Sequence, residues 1–442
     1  MDHETGAKGC GVTRLRMVFQ SGWRVPVAVC ILALVAALVS PGAVPGQPVL
    51  HADLLQSVTG PRAYEHVLAL SQRIGPHVAG TPEDRTSAAY IARQLATDGY
   101  TVEWQAFPFP FFGVRALGLT VPSHPTVTVH PRPMLYSPSS PAGGITADLV
   151  DVGLARPEDV RGRSLTGKVA LILRGTLPFG EKAMNVAGAG AVAAVIYNSR
   201  PEEFGGVVGR NTKIPVVALS GTEGLQLFDL ARSGRVTVHL DVQTLNEERT
   251  TWNIIGTKPG IKDPHRVLVV GAHRDTVENA PGANDNTSGV AVALEIAEVL
   301  RRVPLATTVR FVFFGAEELG LFGSDYYVKH MGSDPVIGMV NLDMEGVGER
   351  LQLATYRGND SLVILAARLA EQLGIKVQVS RSNGSDHVNF ERAGVPVVFL
   401  FRPDDPYFDT PRDTVDRVDP KLLEISGRLA TAIVLTVAGP GQ

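Results

Sequence analysis

Four short clusters of His, Asp and Glu constrain this chain more than any other feature. They lie between Gly271 and Glu345 and read GAHRDTV, GANDNTSG, FFGAEELG and NLDME. Apolar, strand-like runs lead into three of them, at Val267–Val270, Val309–Phe314 and Val340–Leu342. The clusters therefore stand where short buried strands are predicted to end.

The segment between the second and third clusters has a different period. Apolar residues recur at helical spacing over Gly289–Leu300, which predicts a crossover helix after Asp285. Strand, helix and strand in alternation predict an α/β fold with a mixed, mostly parallel sheet flanked by helices. Ligands of such sheets bind outside the carboxyl ends of the strands, where these acids are expected to gather.

Several carboxylates and one imidazole in a single crevice call for cations between them. Like charges a few Å apart do not all stay ionised without a counter-charge. His273, Asp285, Glu318 and Asp343 offer one nitrogen and several oxygens, which suits two divalent ions sharing a carboxylate. Glu317 is then free to act as a base. Each cluster alone would also fit a helix start or a turn, but four in order favour a metal site.

These motifs resemble those of the co-catalytic dizinc peptidases of the M28 type, which include secreted bacterial aminopeptidases. The resemblance rests on AHRDT, GANDNTSG, the Glu-Glu pair and NLDM, and it covers nearly all of the chain after residue 50. It implies that His273 and Asp343 hold separate zinc ions, that Asp285 bridges them and that Glu318 is a terminal ligand of one. It also implies that Glu317 is the general base.

The same resemblance implies further features of fold and activity. Asp275 would orient His273 through its second ring nitrogen, and a cis peptide would join Asp285 to Asn286. The implied fold is that of the zinc exopeptidases. The implied reaction is release of N-terminal residues from peptides by a hydroxide shared between two ions. A carboxypeptidase, a glutaminyl cyclase of similar fold and a receptor-like member without metals are the alternatives.

The chain departs from the family pattern in PYFDTPRDT, residues 406–414. Where the family has Tyr-His-Thr, with the His as the last zinc ligand, this chain has Phe408 and Asp409. Three interpretations stay open. Asp409 ligates through oxygen, which favours a harder ion such as Mn²⁺, with Co²⁺ as a further candidate; or His387 supplies the missing nitrogen; or the second ion binds weakly.

The motifs single out four residues around the expected site. Phe408 removes a phenol that family members place near the oxyanion, and Tyr407 is one position away. Asp386, in a turn resembling the family's SDHxxF, is expected near the site. His77, in the loop GPHVAGTP, is expected to be a loop side chain and not a ligand.

Residues 116–245 differ in character from the segments around them. Short β-like runs alternate with Pro and Gly, and no acid cluster of the metal type occurs among them. GKVALILRG, AVAAVIYN and IPVVALS resemble the protease-associated (PA) domain that interrupts many peptidases of this family. The resemblance implies a smaller, β-rich α+β insert between two parts of one catalytic domain, 48–115 and 246–442. The insert is expected to gate substrates or to act as a spacer.

The first 47 residues read as a targeting segment. Arg14, Arg16 and Arg24 precede an apolar run over Val25–Val39, which is shorter than the ~20 residues of a membrane span. A signal peptide is predicted, with an uncleaved anchor as the alternative, so the protein is expected outside the cytoplasm or in the cell envelope. Both cysteines, Cys10 and Cys30, lie in this segment, which leaves oxygen and nitrogen to bind metals elsewhere.

The charge balance limits the partners of the chain. A net charge of −3 gives no reason to expect nucleic acid. Peptide substrates are the expected partners, and a membrane is expected only if the N-terminal segment stays attached.

Overall fold

The strands predicted ahead of the acid clusters lie side by side in one sheet. A computed structural model of the chain describes residues 51–358 and 361–439. The predicted targeting segment, 1–47, lies outside the described residues. The strands are β1 Thr101–Thr120, β2 Arg132–Pro133, β3 Ile145–Asp151, β4 Val169–Leu173, β5 Ala193–Tyr197, β6 Val216–Leu219, β7 Thr237–Lys258, β8 Asp263–His273, β9 Thr307–Phe314, β10 Val336–Asp343, β11 Leu351–Thr355, β12 Val377–Arg381 and β13 Val397–Phe401.

Helices cover both faces of this sheet. They are α1 Ala52–Gln56, α2 Gly60–Val67, α3 Pro82–Thr97, α4 Pro157–Val160, α5 Phe179–Gly188, α6 Gly221–Ser233, α7 Thr287–Leu300, α8 Phe322–His330, α9 Ser361–Gln372, α10 His387–Arg392 and α11 Pro420–Ala438. A π-helical turn, Leu68–Ile74, continues α2, and a short 3₁₀ turn occupies Val415–Arg417. None of the described helices is long and apolar enough to cross a membrane.

The middle of the sheet explains why the acids meet. β8 pairs in parallel with β9 on one side and with β10 on the other, and β10 pairs in parallel with β13. His273 and Asp343 are the last residues of β8 and β10. Because the carboxyl ends of neighbouring parallel strands share one edge, these two side chains reach the same crevice.

Helix α7 is the buried crossover that follows the second cluster. Its residues from Thr287 to Ala297 are all buried, in keeping with a segment built mainly of Ala, Val, Leu and Gly. Its N-cap is Asn286, whose side-chain oxygen accepts the Gly289 amide at 2.9 Å. The helix therefore begins directly after Asp285 and fixes the position of that acid.

A long antiparallel ribbon joins the catalytic sheet to the insert. β1 and β7 pair continuously from Thr101 opposite Thr257 to Thr120 opposite His239, with one register shift between Val114 and Ala116. At the far end β7 pairs with β3, from which the parallel strands β4, β5 and β6 follow. The expected boundaries, 115/116 and 245/246, thus fall inside paired strands near the register shift.

The predicted fold class is confirmed. The sheet runs β12-β11-β13-β10-β8-β9-β7-β3-β4-β5-β6-β2, with β1 on β7, and it mixes parallel with fewer antiparallel pairs. The inserted strands and helices form a smaller β-rich unit with apolar clusters of its own on the two faces of its strands.

Candidate metal centre

One group of donor atoms gathers at the tips of the two central strands. His273 Nε2 lies 3.1 Å from Asp285 Oδ1 and 3.4 Å from Asp343 Oδ1, and all three side chains are nearly buried. His273 and Asp343 therefore belong to one donor group. The resemblance implied separate ions for them, whereas the structure brings both tips together because β8 and β10 are adjacent.

A second group shares one member with the first. Donor atoms of Asp285, Glu318 and Asp409 all lie within 4.8 Å of one another. Glu317 joins a third group with His273 and Glu318. Asp285 thus belongs to both ligand-rich groups, which is the position that a bridging carboxylate occupies between two cations.

The donor set fits divalent cations. Buried oxygens of Glu318, Asp343 and Asp409 have no hydrogen-bond partner among the described residues. Unpaired buried carboxylate oxygens are costly unless a cation or a proton compensates them. One imidazole nitrogen with several carboxylate oxygens suits zinc and also harder ions.

The pKa shifts report the same crowding of charge. Burial raises the pKa of Glu318, and Asp409 and Asp285 raise it further, to well above its ordinary value. Burial, followed by Asp285, raises the pKa of Asp409 to about 7. Burial alone would lower the pKa of His273, but the carboxylates around it, with Asp343 foremost, hold that pKa well above its ordinary value. The side chains at the site thus carry an excess of negative charge that a cation would offset.

Glu317 lies beside the donor groups and does not belong to either of the two groups that share Asp285. Burial is the main cause that raises its pKa well above the ordinary value, and Asp386 and Asp343 add to it. A carboxylate in this position next to the ligands is placed to act as a general base.

Asp275 supports both His273 and the glutamate pair. The Nδ1–H of His273 donates to the backbone carbonyl of Asp275 at 3.2 Å, while the nearer carboxylate oxygen is 3.9 Å away. The carboxylate instead accepts the backbone N–H groups of Glu317 at 3.0 Å and Glu318 at 3.4 Å. Asp275 thus orients the imidazole through its main chain and positions the glutamates through its side chain.

The motif that carries Asp409 also holds Asp285 in place. Asp413, fully buried, accepts the backbone N–H groups of Asn284 at 2.8 Å and Asp285 at 3.0 Å. Sequence reasoning missed this contact, although Asp413 stands in the motif that was singled out. The expected cis peptide between Asp285 and Asn286 is present.

A buried ion pair braces the strand end that carries His273. The Arg274 guanidinium contacts the Asp84 carboxylate at 2.5 Å, and both side chains are fully buried. Arg274 also donates to Ser87, to Thr251 and to the carbonyl of Trp252. The pair therefore ties helix α3 and strand β7 to the residue between His273 and Asp275.

The remaining predicted residues lie around the donor groups. His387 is buried, its Nε2–H donates to the Ser382 carbonyl at 3.0 Å, and its ring stacks on Phe399. Asp386 is buried beside it, and burial is the main cause that raises its pKa to about 7. Neither belongs to a described donor group. The structure thus places Asp409, and not His387, with Asp285 and Glu318.

Tyr407 and His77, which the sequence also singled out, make contacts with neighbouring residues. The ring of Tyr407 lies between the guanidinium groups of Arg412 and Arg417, 3.7 and 4.2 Å from its centroid. His77 is buried and its Nδ1–H donates to the Gly75 carbonyl at 2.6 Å, which agrees with a loop role.

Two cavities open onto these donors. One of about 300 Å³ is lined by His273, Asp285, Glu317 and Asp343 and by the half-exposed ring of Phe408. The other, of about 550 Å³, adjoins it at Glu318 and Asp409. Both cavities are large enough to hold part of a small peptide.

Comparison with known families agrees with this geometry. The model of peptidase family M28 matches residues 253–434, and the model of the PA domain matches residues 145–227. Both matches lie on the parts of the chain that the structure separates as catalytic sheet and insert.

Individual relatives match over most of their length. The chain is 35% identical to the aminopeptidase YwaD of Bacillus subtilis, over 84% of this chain and 83% of that one. It is 31% identical to the probable lipoprotein aminopeptidase LpqL of Mycobacterium tuberculosis, over 84% and 86%. The crystal structure of BSAP, a zinc aminopeptidase from Bacillus subtilis, superposes with a TM-score of 0.73 at 32% identity, over 86% and 95%. The chain belongs to peptidase family M28, as a metallopeptidase with an inserted PA domain.

Proposed function

We propose that this protein is an aminopeptidase that releases N-terminal residues from peptides with the help of two divalent metal ions. Membership of the family and similarity to a zinc aminopeptidase support metal-dependent peptide hydrolysis. The observation that carries the two-ion proposal is the sharing of Asp285 between the group with His273 and Asp343 and the group with Glu318 and Asp409.

These residues would divide into two ligand sets. His273, Asp285 and Asp343 would hold one ion, and Asp285, Glu318 and Asp409 the other. Ions held in this way acidify a water molecule and polarise a carbonyl group. With four carboxylates against four positive charges the shell is neutral, which favours a harder ion at the Asp409 position than a shell with a second histidine would. Zn²⁺ remains the expected ion at the His273 position.

Glu317 would carry the proton. Its carboxylate lies in the donor group of His273 and Glu318, and Asp275 fixes its backbone. In this position it takes a proton from the attacking water and passes it to the leaving amine.

Glu278 would select a free N-terminus in the second cavity. It lines that cavity beside Glu318 and Asp409, whose negative charge the ions would offset. A protonated amine is attracted to the Glu278 carboxylate, while a blocked amine gains nothing from it. This favours an aminopeptidase over a carboxypeptidase.

The test compares free and blocked peptides with a variant of the proposed base. Purified protein loaded with Zn²⁺ should hydrolyse a leucyl peptide and leave its N-acetylated form intact. Glu317→Gln should keep its metal content and lose activity by roughly 10²–10⁴-fold. Glu371→Gln is the matched control, since this exposed acid of helix α9 lines neither cavity and should leave turnover unchanged. Hydrolysis of the blocked peptide alone, or an active Glu317→Gln variant, would refute the proposal.

The place of action is a further proposal. The basic and apolar segment over residues 14–39 supports export from the cytoplasm. The relative named a lipoprotein supports an envelope or secreted location. Fractionation of cells that produce the full chain tests the compartment. N-terminal sequencing of the purified protein tests whether the predicted signal peptide is cleaved.

A further inference from the structure

The larger cavity at the site has walls from two parts of the chain. The insert contributes Arg132, Leu135 and Gly206, and the catalytic part contributes Glu278, Glu318 and Asp409 among others. At about 550 Å³ it has room for a short peptide and not only for a single side chain. Residues of the insert are therefore placed to contact a substrate bound at the donor groups.

Arg132 differs in charge from every other residue of this cavity. Among the described residues that line it, Arg132 is the only base, and the ionisable others are acids. Its guanidinium lines the same cavity as the donor acids Glu318 and Asp409. A single positive charge thus faces the substrate space from the side of the insert.

The Tyr136 hydroxyl joins the segment that carries Arg132 to the catalytic part. It donates to the carbonyl of Leu319, the residue after Glu318, at 2.7 Å. Within the insert, β2 pairs with β6, and Leu135 donates its N–H to the Gly206 carbonyl at 2.9 Å. These contacts hold the backbone around Arg132 beside the cavity.

The guanidinium itself is free to change partners. It contacts the Glu203 carboxylate at 3.2 Å, and the two side chains are 44% and 53% exposed. Exposed pairs of this kind contribute little to stability. A substrate carboxylate can replace Glu203 at small cost.

We propose that Arg132 is a specificity residue that binds a carboxylate of the peptide substrate, a proposal that rests on the aminopeptidase function above. The planar guanidinium matches a carboxylate with two parallel hydrogen bonds. A peptide whose amine faces the acids has two sources of such a group. One is the terminal carboxylate of a short peptide, and the other is the side chain of an Asp or Glu residue.

The experiment separates the two sources with three substrates and two variants. Leu-Ala carries a terminal carboxylate, Leu-Glu-amide carries a side-chain carboxylate, and Leu-Ala-amide carries neither. Arg132→Met should lower kcat/KM on one or both carboxylate substrates by about tenfold and leave Leu-Ala-amide nearly unchanged. Arg210→Met is the matched control, because Arg210 is an exposed arginine of the insert that does not line the cavity.

A third variant tests the same contact in the opposite direction. Glu203→Gln removes the competing carboxylate and should raise kcat/KM on the substrate that Arg132 prefers. That preference should also weaken at high salt, since the contact is solvent-accessible. Equal losses on all three substrates in Arg132→Met, or no loss on either carboxylate substrate, would overturn the proposal. Failure of the wild-type protein to hydrolyse any of the three substrates would instead refute the proposed aminopeptidase function.

Discussion

Replacing Asp84 by Asn should destabilise the protein far more than the same replacement in an exposed ion pair of equal length. The Arg274–Asp84 contact measures 2.5 Å and both side chains are fully buried. The Lys329–Asp325 contact measures 2.6 Å, and its side chains are 65% and 43% exposed. The two contacts are nearly equal in length and differ strongly in burial, so Asp325→Asn is the control for loss of an exposed aspartate charge.

The magnitude follows from the environment of the charge left behind. Asp84→Asn leaves the Arg274 guanidinium buried without a counter-charge, which costs about 3–5 kcal/mol. The change also disturbs the bonds that Asp84 accepts from Gly80 and Thr251, at 2.9 and 2.8 Å. Asp325→Asn removes a screened surface pair and should cost under about 1 kcal/mol.

Urea unfolding followed by tryptophan fluorescence measures both variants. Trp252 is a suitable probe, because its carbonyl accepts from Arg274 at 2.8 Å and its ring packs on Trp104. The free energies should be compared without added metal, since ion binding stabilises the folded state by mass action. Equal midpoints and equal slopes for the two variants would show that burial of the pair does not set its contribution, and would refute the reasoning.

Two further predictions concern the ligand set and the pH dependence of stability. Asp409→Ala should reduce the bound metal from two ions per chain to about one, measured by elemental analysis, while His387→Gln should keep both; the reverse result would favour His387 as the ligand. Burial lowers the pKa of His77 to about 4, so the unfolded chain takes up a proton on this residue below about pH 6.5 while the folded chain does not. Stability should therefore fall as pH drops from about 6.5 to 4, by up to about 1.4 kcal/mol per pH unit from this residue. His77→Asn, which keeps a donor for the Gly75 carbonyl, should show a shallower fall in urea midpoints over this range, and an unchanged slope would contradict the assignment.

The sequence predicts the local parts of this site well and the long-range parts poorly. His273 and Asp343 could be placed at strand ends because apolar runs of a few residues precede them, and the run after Asp285 predicts helix α7. Which donors share an ion depends on strand order, however, and no local pattern tells that β8 and β10 are neighbours. The family resemblance, which implied separate ions for His273 and Asp343, did not indicate this grouping.

The contacts that support the site could not be predicted from the sequence, for a similar reason. Asp413 lies 128 residues from Asp285, whose N–H it accepts, and Asp84 lies 190 residues from Arg274. A single acidic residue in a loop or a first helical turn has many ordinary explanations, such as turn formation or helix capping. Only the folded arrangement distinguishes an acid that positions the site from one that faces water.

The uninterrupted ribbon of β1 and β7 affects how this protein can be modified. β1 and β7 each run through both the catalytic part and the insert. A cut between these two parts would therefore break hydrogen bonds of the ladder and not an open linker. An exchange of inserts between relatives is best spliced at the irregularity between Val114 and Ala116, where the ladder is already broken. A graft made there keeps the remaining rungs in register, whereas a splice one residue off would turn inward-facing side chains outward along the whole transplanted strand.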